Sequence, residues 1–169
     1  MEIKSIFHTY TVDFTKELPT IGSKDVLAID KNVLSLYKDR YSGYKYVFEI
    51  EAREDVKNIT TVLKLVDYLV DIGFTKKDTL HVVGGGITQD ISSMCAALFK
   101  RGIDWNFTPT TLLSMCDSCI GSKMGINHNN SKNQLGTFYP PKRVLIDVTF
   151  LETLGEDDIH SGTGEILKL

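Results

Sequence analysis

The apolar run at residues 80–83 (LHVV) passes without a break into three glycines, Gly84 to Gly86, and a helical pattern then runs from about Gln89 to Lys100. A strand that turns into a helix within so few residues is the repeating unit of a sheet with helices packed against it. Other segments follow the same alternation. Residues 26–29 (VLAI) form a short strand that closes on Asp30, with a helix predicted over residues 32–41, and residues 46–50 form a second strand. Asn58 is placed to cap a helix whose Ile59, Val62, Leu63, Val66, Leu69 and Val70 share one face, and Gly73 stops it. Residues 105–107 and 144–146 are further strands, the latter ending at Asp147, and the opening "MEIKSIFHTYTVDF" alternates like a strand. The prediction is an α/β fold: a Rossmann-like, mostly parallel sheet with helices on both faces. Ligands of such sheets sit at the carboxyl ends of the strands. Asp30, the stretch from Gly84 to Asp90, Thr110 and Thr111 converge on that edge.

At 169 residues the chain is long enough to bury roughly 70% of its unfolded surface without a staple. Its 19 basic and 22 acidic residues give a net charge of −3 without a basic block, so neither nucleic acid nor a membrane surface is expected as partner. No apolar run has the length of a membrane span and no signal-peptide core is visible. Cys95, Cys116 and Cys119 read as reduced thiols, which with the missing signal predicts a cytoplasmic protein. A new helical pattern opens at Glu156. The expected organisation is one α/β domain over residues 1–155 and the truncated start of a second over 156–169.

The local chemistry leaves alternatives open. Three glycines between strand and helix suit a backbone cradle for phosphate, or simply a tight turn. The spacing G-x-G-x-x-G is not met, because Gln89 stands at its third glycine. Asp30, at a strand end, is placed to accept from a ribose hydroxyl. Thr110 and Thr111 read as a helix N-cap that can also wall a ligand site. Asp117, about two turns further on among apolar neighbours, calls for a cation. Lys123, Lys132 and Asn133 supply charge and an amide from "GSKMGINHNNSKNQLG", residues 121–136, which reads as a long irregular loop. That loop suits a phosphorylated polyol, or is a solvated lysine loop. Arg101 and Gly102 end a helix by dipole and cap alone. Cys116 and Cys119 lack a second pair and read as buried thiols, not zinc ligands. His81 belongs to core or interface, and His128 is a weak candidate for a phosphate contact. Glu165 lies three residues before Lys168, so the two form a surface ion pair, or a metal ligand beside a substrate lysine.

Taken in order, "AREDVK", "GGGITQD", "KRGI", "PTTLLSMCDS", "GSKMGIN", "KNQLGTFYPP", "FLETL" and "GTGEILK" resemble the 3-dehydroquinate synthase family and the wider sugar-phosphate cyclases over nearly the whole chain. The resemblance implies an NAD-binding α/β domain followed by a helical metal-binding domain. It implies that Asp30, Glu54, Lys57, Gly85, Gly86, Asp90, Thr110, Thr111, Lys132 and Thr153 surround NAD. Asp117, Lys123, Asn133 and Lys168 would face substrate, Arg101 would reach a neighbouring subunit's site in a homodimer, and Glu165 would be the first of three ligands to zinc or cobalt. The implied reaction converts a seven-carbon sugar-acid phosphate to 3-dehydroquinate with loss of phosphate, in aromatic amino acid biosynthesis by the shikimate pathway, and NAD is returned unchanged. Gln89, Ser122 and Met124 depart from the dehydroquinate synthase pattern and leave room for another sugar phosphate. The two histidine ligands of the family fall beyond this chain, so these residues alone are expected to bind nucleotide and turn nothing over. A metal-dependent glycerol or alcohol dehydrogenase and a catalytically inactive NAD-binding module are the competing readings.

Overall fold

A computed structural model describes residues 1–168. In chain order the elements are β1 (Glu2–Lys4), β2 (Thr9–Phe14), β3 (Val26–Asp30), α1 (Lys31–Leu36), β4 (Tyr46–Ile50), α2 (Ile59–Asp71), β5 (Leu80–Gly84), α3 (Gly86–Leu98), β6 (Trp105–Pro109), β7 (Lys123–His128), β8 (Ser131–Phe138), β9 (Arg143–Ile146) and α4 (Glu156–Ile166). Seven strands form one sheet in the order β1-β2-β9-β6-β5-β3-β4. Only β1 runs antiparallel to its neighbour. Every residue of β3, β5 and β6 is buried, so both faces of the central strands are covered, which is why they read as continuous apolar runs. This is the Rossmann-like α/β fold that the strand–helix alternation predicts.

Asn58 caps α2 by accepting from the Thr61 N–H at 3.1 Å, and Gly73, at φ +67°, ends it. The buried face of α2 is Val62, Leu65 and Leu69, whereas Leu63 and Val70 of the predicted stripe are half exposed. The helix predicted over residues 32–41 is shorter: α1 stops at Leu36, and a 3-10 turn covers Lys38–Tyr41. The break lets Tyr37 pack edge-on against Phe150 and lets Arg40 reach the buried Asp147 at 2.7 Å. The helix α3 starts at Gly86, not at Gln89, and ends at Leu98. Lys100, Arg101 and Gly102 beyond it all have positive φ. A Cβ on Gly102 would lie 2.7 Å from the Tyr139 hydroxyl, so this reversal into β6 requires glycine.

The largest correction concerns residues 121–136. They are not an irregular loop: β7 pairs with β8 in an antiparallel hairpin, Lys123 opposite Phe138 and Ile126 opposite Leu135. Met124 and Ile126 are buried against the body, while all eight residues of β8 are exposed. Only one strand of the pair therefore carries an apolar alternation. Packing joins the hairpin to α2 and α3. At the far end of the chain α4 packs on residues 112–118, where a Cβ on Gly162 would come 2.6 Å from Leu112 Cβ. No helix among the described residues is long and apolar enough to cross a membrane.

Candidate cofactor cleft

The carboxyl ends of β3, β5 and β6 open into a cleft of about 870 Å³, closed on one side by residues 150–161 and on another by the hairpin. Asp30 stands at the end of β3. Its Oδ1 accepts the Asn32 and Val33 N–H groups at 2.7 and 3.2 Å and so caps α1. Its Oδ2 has no partner among the described residues and remains available to a ligand.

The three glycines differ in role. A Cβ on Gly84 would meet Thr88 Cβ at 2.6 Å, and one on Gly85 would meet Thr111 Cγ2 at 3.0 Å, so both are held by packing. Gly86 has nothing within 4 Å, and it faces the cleft. No side chain caps α3, so its first-turn N–H groups lack the usual partner beside the opening. An uncapped helix start with an open glycine meets both requirements of an anion cradle. Thr111, not Thr110, provides the cap on the neighbouring turn: its hydroxyl accepts the Ser114 N–H at 3.2 Å, and the Ser114 hydroxyl accepts the Thr111 N–H at 3.2 Å. Both threonines line the cleft.

Charges gather on the hairpin side. The buried Lys57 ammonium lies 3.1 Å from Asp90 Oδ2, donates to Asn133 Oδ1 at 2.8 Å and sits 3.9 Å from Glu54. Lys132 reaches Glu54 at 3.8 Å. Burial pushes the Asp90 carboxyl above the usual carboxylate range, against the pull of the Gly125 N–H at 3.0 Å and of Lys57. Every residue that the resemblance assigns to NAD lines this one cleft, Thr153 included. Sequence reasoning overlooked Tyr37, whose hydroxyl is 2.9 Å from the Thr153 hydroxyl across the cleft mouth. Nothing local marks it, since the two lie far apart in the chain.

The residues expected to face substrate are not in the cleft wall. Asp117 lies on a π-helical turn, Ser114–Ser118, and is exposed with no ion pair among the described residues. The expected pairing with Lys123 or Lys132 is therefore not made: Lys132 takes Glu54, Lys123 is exposed, and solvent removes the need for a partner. Asn133 joins Lys57 instead. Gln89, at the position of the missing glycine, is buried and does not line the cleft, though its partner Ser118 does. Its amide donates to the Ser118 carbonyl at 2.6 Å and accepts from the Ser118 hydroxyl at 2.7 Å. Arg101 is exposed beyond the far end of α3, about 20 Å along the helix from Gly86. His128 sits exposed at the hairpin turn, outside the cleft. His81 is a core residue, 3.2 Å from Asp25, and burial holds its imidazole below the ordinary value. Cys119 is buried, which raises its thiol to about 11, whereas Cys116 is only half-buried.

The family model of the 3-dehydroquinate synthase N-terminal domain matches residues 47–161. The chain belongs to the 3-dehydroquinate synthase family. A curated family member, the 3-dehydroquinate synthase of Idiomarina loihiensis, is 36% identical over 92% of this chain. Among solved structures, ValA, the 2-epi-5-epi-valiolone synthase from Streptomyces hygroscopicus subsp. jinggangensis with NAD+ and Zn2+ bound, aligns over 98% of the chain with a TM-score of 0.88 at 32% identity. A 2-deoxy-scyllo-inosose synthase complexed with carbaglucose-6-phosphate, NAD+ and Co2+ aligns over 85% with a TM-score of 0.77 at 26% identity. The chain spans 45% of the length of the first relative, 50% of ValA and 41% of the inosose synthase. The described residues supply at most part of a metal site. Glu165 is bound to Lys168 at 2.9 Å, and no three His, Cys, Asp or Glu side chains gather to hold an ion.

Proposed function

We propose that this chain is the NAD-binding part of a 3-dehydroquinate-synthase-like cyclase, acting on a seven-carbon sugar-acid phosphate with elimination of phosphate in the shikimate pathway. The observation that carries the reading is the meeting of three features in one cleft: the uncapped start of α3, the open Gly86 and the free Oδ2 of Asp30. Bound NAD would supply a hydride acceptor that later returns the hydride. The N–H groups at residues 86–88 would hold its pyrophosphate, and Asp30 would orient a ribose through its free oxygen. Thr110, Thr111 and Thr153 would wall the cofactor, and Glu54, Lys57, Asp90 and Lys132 would fix its other end. Asp117, Lys123, Asn133 and Lys168 are assigned to the sugar phosphate, where lysines offset phosphate and carboxylate charge. Arg101, turned away from its own cleft, is assigned to the partner site of a homodimer. Glu165 is assigned as one metal ligand, but the described residues do not complete such a site, and no step is derived through it. A cytoplasmic location is part of the same reading.

Titration of NAD into this chain by calorimetry tests the cofactor assignment, with one site expected. Asp30→Ala should weaken binding by about 1.5–3 kcal/mol, the value of a hydrogen bond to a charged group. No heat with the unaltered chain would remove the reading, and unchanged affinity in the variant would remove the ribose assignment. A second reading, a cyclase for another sugar phosphate, is favoured by Ser122 and Met124 beside Lys123 and by the likeness to ValA. Phosphate release by the full-length protein separates the two. Release from the seven-carbon acid supports the first reading, and release only from a sugar phosphate without a carboxylate supports the second. NAD binding with no release from either would leave an inactive nucleotide-binding module.

A further inference from the structure

Asn127, near the end of β7, makes four hydrogen bonds to residues assigned to cofactor or substrate, and it is in neither group. Its Nδ2 donates to Glu54 Oε1 at 2.7 Å and to the Glu54 carbonyl at 3.2 Å. Its Oδ1 accepts the Asn133 N–H at 2.9 Å, and its own N–H donates to the Lys57 carbonyl at 2.7 Å. The side chain must give hydrogens on one side, to a carboxylate and a carbonyl, and take one on the other. A carboxamide does this, and a carboxylate does not.

We propose that Asn127 is a positioning residue that clasps the hairpin to the segment carrying Glu54 and Lys57, so that the cofactor-side charges and Asn133 are set together. The proposal rests on the cofactor reading above. Asn133 has φ +53°, a conformation an asparagine tolerates but must be held in, and the bond to Asn127 Oδ1 holds it. Held there, Asn133 turns its own Oδ1 onto the Lys57 ammonium at 2.8 Å. Glu54 is the mirror case: a long, partly exposed side chain, which Asn127 Nδ2 fixes within reach of both Lys57 and Lys132. One carboxamide thus sets two branches of the network around Lys57. Groups assigned to NAD and a group assigned to substrate share a single rigid link, which is the physical condition for one ligand to favour the other.

Two substitutions separate the branches. Asn127→Asp keeps the acceptor for the Asn133 N–H but turns a carboxylate toward Glu54. The Asn133 amide should stay protected from hydrogen exchange while the NAD dissociation constant rises roughly tenfold or more. Adding Glu54→Gln supplies a donor to the new carboxylate and should recover part of the lost NAD affinity, the Glu54 carbonyl still lacking its donor. Asn127→Ala removes both branches, and exchange of the Asn133 amide should speed at least about tenfold in addition. Melting temperatures of all variants identify any that fail to fold. Unchanged NAD affinity in both Asn127 variants, or a loss in Asn127→Asp that Glu54→Gln does not reduce, would overturn the proposal. If the unaltered chain binds no NAD, the cofactor reading fails. The clasp then stands or falls on the Asn133 amide alone, and unchanged exchange in Asn127→Ala refutes it.

Discussion

Gly84, Gly85 and Gly86 are one tripeptide in sequence and three separate constraints in space. Replacing Gly84 by alanine drives a methyl into Thr88, which is completely buried, and should cost about 1–3 kcal/mol by overpacking. Replacing Gly86 meets no protein atom, so its melting temperature should stay near that of the unaltered chain while NAD affinity falls. Thermal denaturation beside calorimetry checks both, and a Gly86→Ala chain that binds NAD normally would remove the cradle. The sequence marked these positions because strand, glycines and helix follow one another without a gap. It misled at Asp117, where apolar neighbours suggested burial. On the π-helical turn the carboxylate is exposed, and Ser114 and Met115 are the buried residues.

Segments with both a cap and an apolar stripe were legible, and those held by distant partners were not. Asn58 and Gly73 bracket α2 as read, whereas "SKNQLGTF" lies wholly exposed as β8 and shows no alternation to read. The same holds for the break after α1, where Arg40 meets Asp147 at the end of β9, a strand distant in sequence. Burial opposes ionisation of Asp147, but the Thr149 hydroxyl and N–H and the Arg40 guanidinium prevail and hold its carboxyl below the ordinary 3.8. This stabilisation is fully present above about pH 3.8 and is lost as pH falls through the lower folded value. Arg40→Ala should therefore cost about 3–5 kcal/mol at neutral pH by stranding a buried carboxylate. The loss should shrink as acid protonates Asp147, which denaturant melts at pH 7 and pH 3 would measure. At the other end of the chain, Gly162→Ala forces α4 off Leu112 and Leu113. It should lower stability by about 1–3 kcal/mol and displace Glu165 and Lys168 with the helix, seen as a lower melting temperature.

For the molecule as a whole, the fold was readable because it repeats a local unit; the residues assigned to NAD converge on one cleft, whereas those assigned to substrate are scattered over separate elements. Glu165 meets Lys168 and not a metal cluster, so a chelator should leave the melting temperature of these residues unchanged. A fall of several degrees would show a metal contributing to the fold. The strand order has a consequence for how the chain is made. Strands β3, β4, β5 and β6 find neighbours among themselves, but β2 has its inner partner in β9, Thr11 opposite Arg143. On the ribosome β2 emerges well before its partner β9 and cannot join the sheet until β9 follows, and pairings this distant form slowly. Nascent chains stopped before Arg143 should be cut by protease first within residues 1–14, where Phe7 and Phe14 stay exposed even in the finished fold. At this edge β2 is made before β9 but paired only after it, so among the described residues these strands are the ones most in need of a chaperone.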